Sequence, residues 1–159
     1  MNVNIVCVGK IKEAYFRDAI AEYQKRLSRY CKISITELID EKTPDKQSKA
    51  LDDKVRQIEG ERIINALDSK AFVVLLDISG KMLDSVELSQ FIDEHTVMGI
   101  NDFTFVIGGS LGVSDEVRKR ADYRLSFSRM TFPHQLMRVI LLEQIYRSFR
   151  ISNNEPYHK

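Results

Sequence analysis

The 159 residues carry 24 lysines and arginines against 23 aspartates and glutamates, and are 43% hydrophobic and 30% charged, the composition of a soluble globule with one domain spanning 1–159. A chain of this length buries roughly 68–70% of its unfolded surface, so it needs no staple; Cys7 and Cys31 make no disulfide framework and point to a reducing, cytoplasmic setting. No apolar run approaches the ~20 residues of a membrane span, and the opening MNVNIVCVGK reads as neither signal peptide nor anchor.

Asn4 to Val8 reads as a strand that stops at Gly9. Ala14 to Tyr30 places Tyr15, Ile20, Tyr23 and Leu27 at helical spacing, and Ile33 to Leu38 alternates with period two as a second strand. Asp40 to Gln47 is a polar loop broken by Pro44. Lys49 to Leu67 is a surface helix with Leu51, Val55, Ile58 and Ile63 on a charged background. The continuous apolar run Phe72 to Leu76 predicts a strand buried on both faces, and Asp77 to Lys81 the turn after it. Asp84 and Glu87 have the spacing of a capping box for a helix ending near Gly99. Phe103 to Ile107 is another buried strand, running into the glycine-rich turn Gly108 to Gly112. Ser114, Asp115 and Glu116 open a short helix, Tyr123 to Ser128 forms a short strand, Met130 to Pro133 a loop, and His134 to Phe149 the last helix.

This alternation predicts an α/β fold with a mainly parallel sheet and helices on both faces. The last helix is apolar all round at Val139 to Leu142, so it needs cover on more than one side. Core burial supplies that cover, or a second subunit packed on its outward leucines does.

Charge is divided unevenly. From Asp115 onward nine cations face five anions, a balance of +4, whereas the first 114 residues hold fifteen and eighteen, a balance of −3. Such asymmetry fits a polyanion-facing C-terminal part or a plain solvated face.

The loops after the last three strands, DISGK, GGSLG and SRMTFPHQ, leave a parallel sheet at one edge, where ligands of open α/β folds bind. Their composition suits a neutral, adenosine-sized ligand held by backbone groups; a plain tight turn at the glycines is the alternative. There is no phosphate-binding G-x-x-x-x-G-K-[ST] and no G-x-G-x-x-G after the first strand. His95 reads as solvated. His134, after Pro133, either caps and packs its helix or joins the site. The cysteines and histidines lack metal-ligand spacing, so no metal is expected. The tail Glu155-Pro156-Tyr157-His158-Lys159 combines an aromatic, an imidazole and a cation, groups that stack on unpaired bases and hold phosphates, unless it is a disordered basic end.

VIGGSLG (106–112), LSFSRMTFPHQLMRVILLEQIYR (125–147) and EPYHK (155–159), with VGKIKEAY (8–15) and EGERI (59–63), closely resemble the RlmH family of SPOUT-class ribosomal RNA methyltransferases, along the whole chain. The resemblance implies a C-terminal trefoil knot, a homodimer and S-adenosyl-L-methionine as cofactor. It also implies methylation at N3 of a pseudouridine in large-subunit ribosomal RNA, as free RNA or in an assembled ribosome. The cofactor pocket it implies comprises Leu76, Gly108, Phe127, Ser128, Arg129, Met130, Thr131 and Phe132. Tyr157, His158 and Lys159 match a tail associated with the site across the dimer. Imidazole chemistry makes His158 the expected base, or hydrogen-bond partner to the adjacent carbonyl, and Arg129 and Arg138 are expected to fix RNA phosphates or stabilise charge developing on the base. Asn153-Asn154 stands where many relatives have Arg-Gly, which removes one possible phosphate contact. The rival expectations are a catalytically inactive ribosome-binding module, against which the intact cofactor loops argue, and a small nucleotide-binding oxidoreductase, against which the missing dinucleotide fingerprint argues.

Overall fold

The computed structural model describes residues 1–43, 45 and 48–157. Part of the predicted 40–47 loop, including Pro44, lies outside them. Among the described residues five strands alternate with five helices: β1 (Asn2–Val8), α1 (Ala14–Leu27), β2 (Lys32–Leu38), α2 (Lys49–Ala66), β3 (Phe72–Met82), α3 (Ser85–Val97), β4 (Asp102–Ile107), α4 (Asp115–Arg120), β5 (Tyr123–Ser126) and α5 (His134–Ser152). The strands form one sheet in the order β2-β1-β4-β3-β5, with every pairing parallel.

Period-two alternation divides the central strands between two cores. Val3, Ile5, Cys7, Val74, Phe103, Phe105 and Ile107 face a layer containing Ile20 and Leu27 of α1, Leu88 and Ile92 of α3, and Leu141, Leu142 and Ile145 of α5. Val6, Val8, Val73, Leu75 and Val106 face Ile63 of α2 and Val117 of α4. Helix starts follow the sequence signals. Asp84 accepts from the Glu87 N–H at 2.7 Å while Glu87 accepts from the Asp84 N–H at 2.8 Å, the reciprocal bonds of a capping box. Ser48 and Ser114 cap α2 and α4.

Three expectations are corrected. Asp77–Lys81 is not a simple turn: β3 continues to Met82, and its register against β5 shifts between Leu76 and Lys81, both opposite Leu125. The bulge needs a glycine at position 80, which lies against the Arg124 carbonyl, where a Cβ would stand 2.6 Å from the oxygen. His95 is not fully solvated: it is half-buried and packs against Phe91 and Phe72, with ring centroids 4.2 and 4.7 Å away. The leucines of α5 do not face outward. Leu141 and Leu142 are fully buried within this chain, and only half-buried residues such as Val139 and Ile140 are left for further cover.

Candidate functional site

The irregular stretch of β3 after Leu75 and the loops that leave β4 and β5 at their C-terminal ends border a cavity of about 310 Å³, within the ~300–1,000 Å³ range of small-molecule sites. Leu76, Gly108, Phe127, Ser128, Met130, Thr131 and Phe132 line it. Arg129, the remaining expected pocket residue, is exposed and off the wall. The structure adds Asp77, Ile78, Gly109, Ser110, Arg118, His134 and Met137 to the lining.

The glycine turn is shaped from within. Gly112 has φ +81°, a backbone that glycine adopts without strain, and its N–H closes the turn onto the Gly109 carbonyl at 3.1 Å. A Cβ on Gly108 would meet Val113 Cγ1 at 2.5 Å, so the constraint there comes from the fold itself. Behind the turn stands α2. Arg56 donates to the Leu111 carbonyl at 3.3 Å, and Gly60 lets α2 approach Ser114, whose Oγ a Cβ would meet at 2.3 Å. The Glu59 carboxylate presses on Gly109, where a Cβ would stand 2.5 Å from Oε2. Glu59 Oε1 accepts from the Glu41 N–H at 3.0 Å, whereas Oε2 is buried without a hydrogen bond. Burial pushes this carboxyl up, Asp40 and Glu41 add to the effect, and the Glu41 N–H and Arg62 only partly oppose it. Sequence reading placed EGERI on a surface helix and missed this support; its one signal was a glycine inside a helix.

Asp77 is the acidic group on the cavity wall. Its Oδ1 accepts from the Ser79 N–H and hydroxyl at 3.0 and 2.9 Å. Its Oδ2 lies 3.5 Å from Arg118 Nε and 3.6 Å from an Arg124 nitrogen. Burial alone pushes the carboxyl up, but the Ser79 bonds and the two guanidiniums outweigh it, leaving Asp77 below the ordinary value. Across the cavity, burial and then the Arg138 charge push His134 down, with Asp40 partly opposing, so the imidazole is neutral near pH 7.

Arg138 is not an exposed RNA contact. It is fully buried, donates to Glu37 Oε1 at 2.7 Å and to the Val8 and Gly9 carbonyls at 3.0 and 2.6 Å, and so ties α5 to the ends of β1 and β2. Tyr157 is not at the cavity of its own chain. Its hydroxyl donates to Glu143 at 3.2 Å, its ring packs edge-on to Tyr146 at 5.0 Å, and Arg147 lies over it at 4.7 Å. Burial, with Tyr23 and Glu143 nearby, pushes its phenol up to about 12. The expected site residues His158 and Lys159 lie outside the described residues.

Among the described residues no cluster of histidine, cysteine and carboxylate side chains has the arrangement of a metal site, and no helix is long and apolar enough to cross a membrane. The cavity does fit a nucleoside-bearing cofactor. It has apolar walls, the glycine-rich backbone of 108–112 along one side, and in Asp77 Oδ2 a buried acceptor without a hydrogen-bond donor.

A family profile described as "Predicted SPOUT methyltransferase" matches residues 1–158. The chain is 57% identical over 159 residues to the Ribosomal RNA large subunit methyltransferase H of Clostridium botulinum (strain Alaska E43 / Type E3), covering all of both chains. It is 56% identical to the protein of that name from Lactobacillus acidophilus and 55% identical to the one from Clostridium acetobutylicum, again end to end.

Proposed function

The chain belongs to the SPOUT methyltransferase family, and from that premise we propose that it uses S-adenosylmethionine to methylate N3 of a pseudouridine in large-subunit ribosomal RNA. The observation that carries the reading is the convergence of the β3 bulge and the loops after β4 and β5 on one cavity, in a chain that matches ribosomal RNA methyltransferases over its full length. In this reading residues 1–159 act as one domain in the cytoplasm, with the trefoil threading the family implies. The inactive-module and oxidoreductase readings find no feature in their favour.

S-adenosylmethionine, when bound, supplies a methyl group on sulfonium, already a strong electrophile. The chain's work is then alignment of donor and acceptor and removal of the acceptor's proton. Leu76, Phe127, Met130 and Phe132 would hold the adenosine between apolar walls, the turn at Gly108, set by its packing on Val113, would line it with backbone, and Asp77 would face the cationic end. Ser128 and Thr131 carry hydroxyls for its polar atoms, and Arg129, exposed and without an acidic partner among the described residues, is free to meet phosphate. His158 is the proposed proton acceptor, or hydrogen-bond partner to the adjacent carbonyl.

A homodimer completes the proposal. Tyr157 is held at Glu143 and Tyr146 of α5, away from the cavity that His134 lines at the start of the same helix. A tail fixed there serves the neighbouring subunit's cavity more readily than its own. Calorimetry tests the cofactor directly: S-adenosylmethionine and its demethylated product bind and NADH does not. Binding of NADH alone would reverse the assignment.

A further inference from the structure

The segment Gly9–Tyr15 has no part in the cofactor cavity, yet it abuts that cavity. β1 lies beside β4 in the sheet, so the loop after β1 is adjacent to the glycine turn after β4. His134, on the cavity wall, places Nε2 3.6 Å from where a Cβ on Gly9 would stand. The loop is held rigidly from below. Gly9 donates to the Leu38 carbonyl at 2.8 Å, and Arg138 holds the Val8 and Gly9 carbonyls. Glu37 Oε1 takes both Arg138 and the Ile11 N–H, the latter at 3.2 Å. Arg17 donates to the Ile11 and Lys12 carbonyls at 3.4 and 2.5 Å. Ile11 is buried, so the loop is pinned in its middle.

What this fixed backbone presents outward is specific. Lys10 and Lys12 are exposed and form no ion pair among the described residues. Tyr15 is 66% exposed although aromatic, and its ring is backed by Phe16 with centroids 4.6 Å apart. The acids nearby are Glu37, occupied by Arg138, Asp40 near Gly9, Glu13, whose Oε2 is turned inward and buried, and Asp18, exposed one turn along α1 from Tyr15. Two unpaired ammoniums beside a braced, exposed ring match the chemistry of unpaired RNA: phosphates for the cations and a base face for the aromatic.

We propose that Gly9–Tyr15 is a preformed platform for unpaired RNA flanking the acceptor nucleotide, with Lys10 and Lys12 on phosphates and Tyr15 stacked on a base. The proposal rests on the methyltransferase reading and adds to it the surface by which the RNA is held. The test is steady-state methylation of purified ribosomes at several salt concentrations. It compares the parent with Lys10→Ala/Lys12→Ala, Tyr15→Ala and Tyr15→Phe, each checked by dichroism, light scattering and S-adenosylmethionine calorimetry. Tyr15→Ala raises KM for ribosomes about tenfold or more while Tyr15→Phe stays near the parent, because stacking needs the ring and not the hydroxyl. The double lysine variant raises KM and makes its log–log salt dependence shallower by roughly 1.4, the loss of two single-strand phosphate contacts. Unchanged KM and salt slope in an active parent background overturn the platform and leave the methyltransferase reading standing. So does a fall in the mass of the assembly by light scattering on Tyr15→Ala, which assigns the surface to a protein contact, or a loss of cofactor affinity in the lysine variant. A parent without methyl transfer overturns both.

Discussion

Arg138 of α5 and Glu37 of β2 meet at 2.7 Å, with the arginine fully buried and its second nitrogen on the Val8 and Gly9 carbonyls. One guanidinium therefore joins the last helix, the edge strand β2 and the end of its neighbour β1 beside the cavity. Arg138→Ala leaves two buried carbonyls unpaired and a void, a cost of about 3 kcal/mol or more. Thermal unfolding should fall by about 10 °C, at ~2–4 °C per kcal/mol for a chain of this size. A native melting temperature with weakened RNA binding would return Arg138 to the RNA interface.

The glycine turn yields a second expectation. Because the Cβ of Gly108→Ala would collide with Val113 Cγ1, that substitution should displace the turn and weaken S-adenosylmethionine binding. Val113→Ala removes the obstructing methyl and should restore part of the loss. Calorimetry on the double-mutant cycle should give a coupling of about 0.5–3 kcal/mol. Strict additivity would mean that Gly108 is constrained by the ligand and not by Val113.

Glu59 predicts a pH dependence. Its carboxyl is raised in the fold by burial and by Asp40 and Glu41, against Arg62, so the folded chain binds the proton more tightly than the unfolded chain. This contribution to stability is fully present below the ordinary glutamate value of ~4.3 and is lost as pH rises through the higher folded value. Glu59→Gln keeps the acceptor for the Glu41 N–H without the charge. Its melting temperature should exceed the parent's near neutral pH and converge with it in acid. A variant that melts lower at neutral pH would show that the charge itself holds the turn.

Much of this was legible in sequence because the signals were local. The apolar run Phe72 to Leu76 gave the first part of β3, the runs ending at Gly108 and near Ser128 gave β4 and β5 with the loops that meet at the cavity, and Asp84 with Glu87 gave the start of α3. The departures have long-range causes. Glu59 looks solvated in a charged helix until Gly109, fifty residues on, is packed against it. Arg138 in an apolar helix is compatible with an outward or an inward cation, and only the Val8 and Gly9 carbonyls decide it. Lys81 resumes pairing with Leu125 after a bulge that DISGK, read alone, presents as a turn.

The proposed dimer places its interface on α5. Leu141 and Leu142 are spent inside the subunit, so the surface offered to a partner is the half-buried one carrying Ile140. Ile140→Glu should give monomers by light scattering with the fold intact by dichroism, and methyl transfer should fall with dimer content. A parent that scatters at the mass of one subunit would remove the dimer from the account.

The most direct measurement is transfer of labelled methyl from S-adenosylmethionine to ribosomal RNA, with mass spectrometry locating the product. Naked RNA, subunits and whole ribosomes serve as parallel substrates. The account predicts one methyl group on N3 of a pseudouridine of the large-subunit RNA, lost in Gly108→Val and reduced by orders of magnitude when Tyr157 to Lys159 are deleted without loss of cofactor affinity. Absence of methyl incorporation in every substrate, from a protein that binds S-adenosylmethionine, would contradict it.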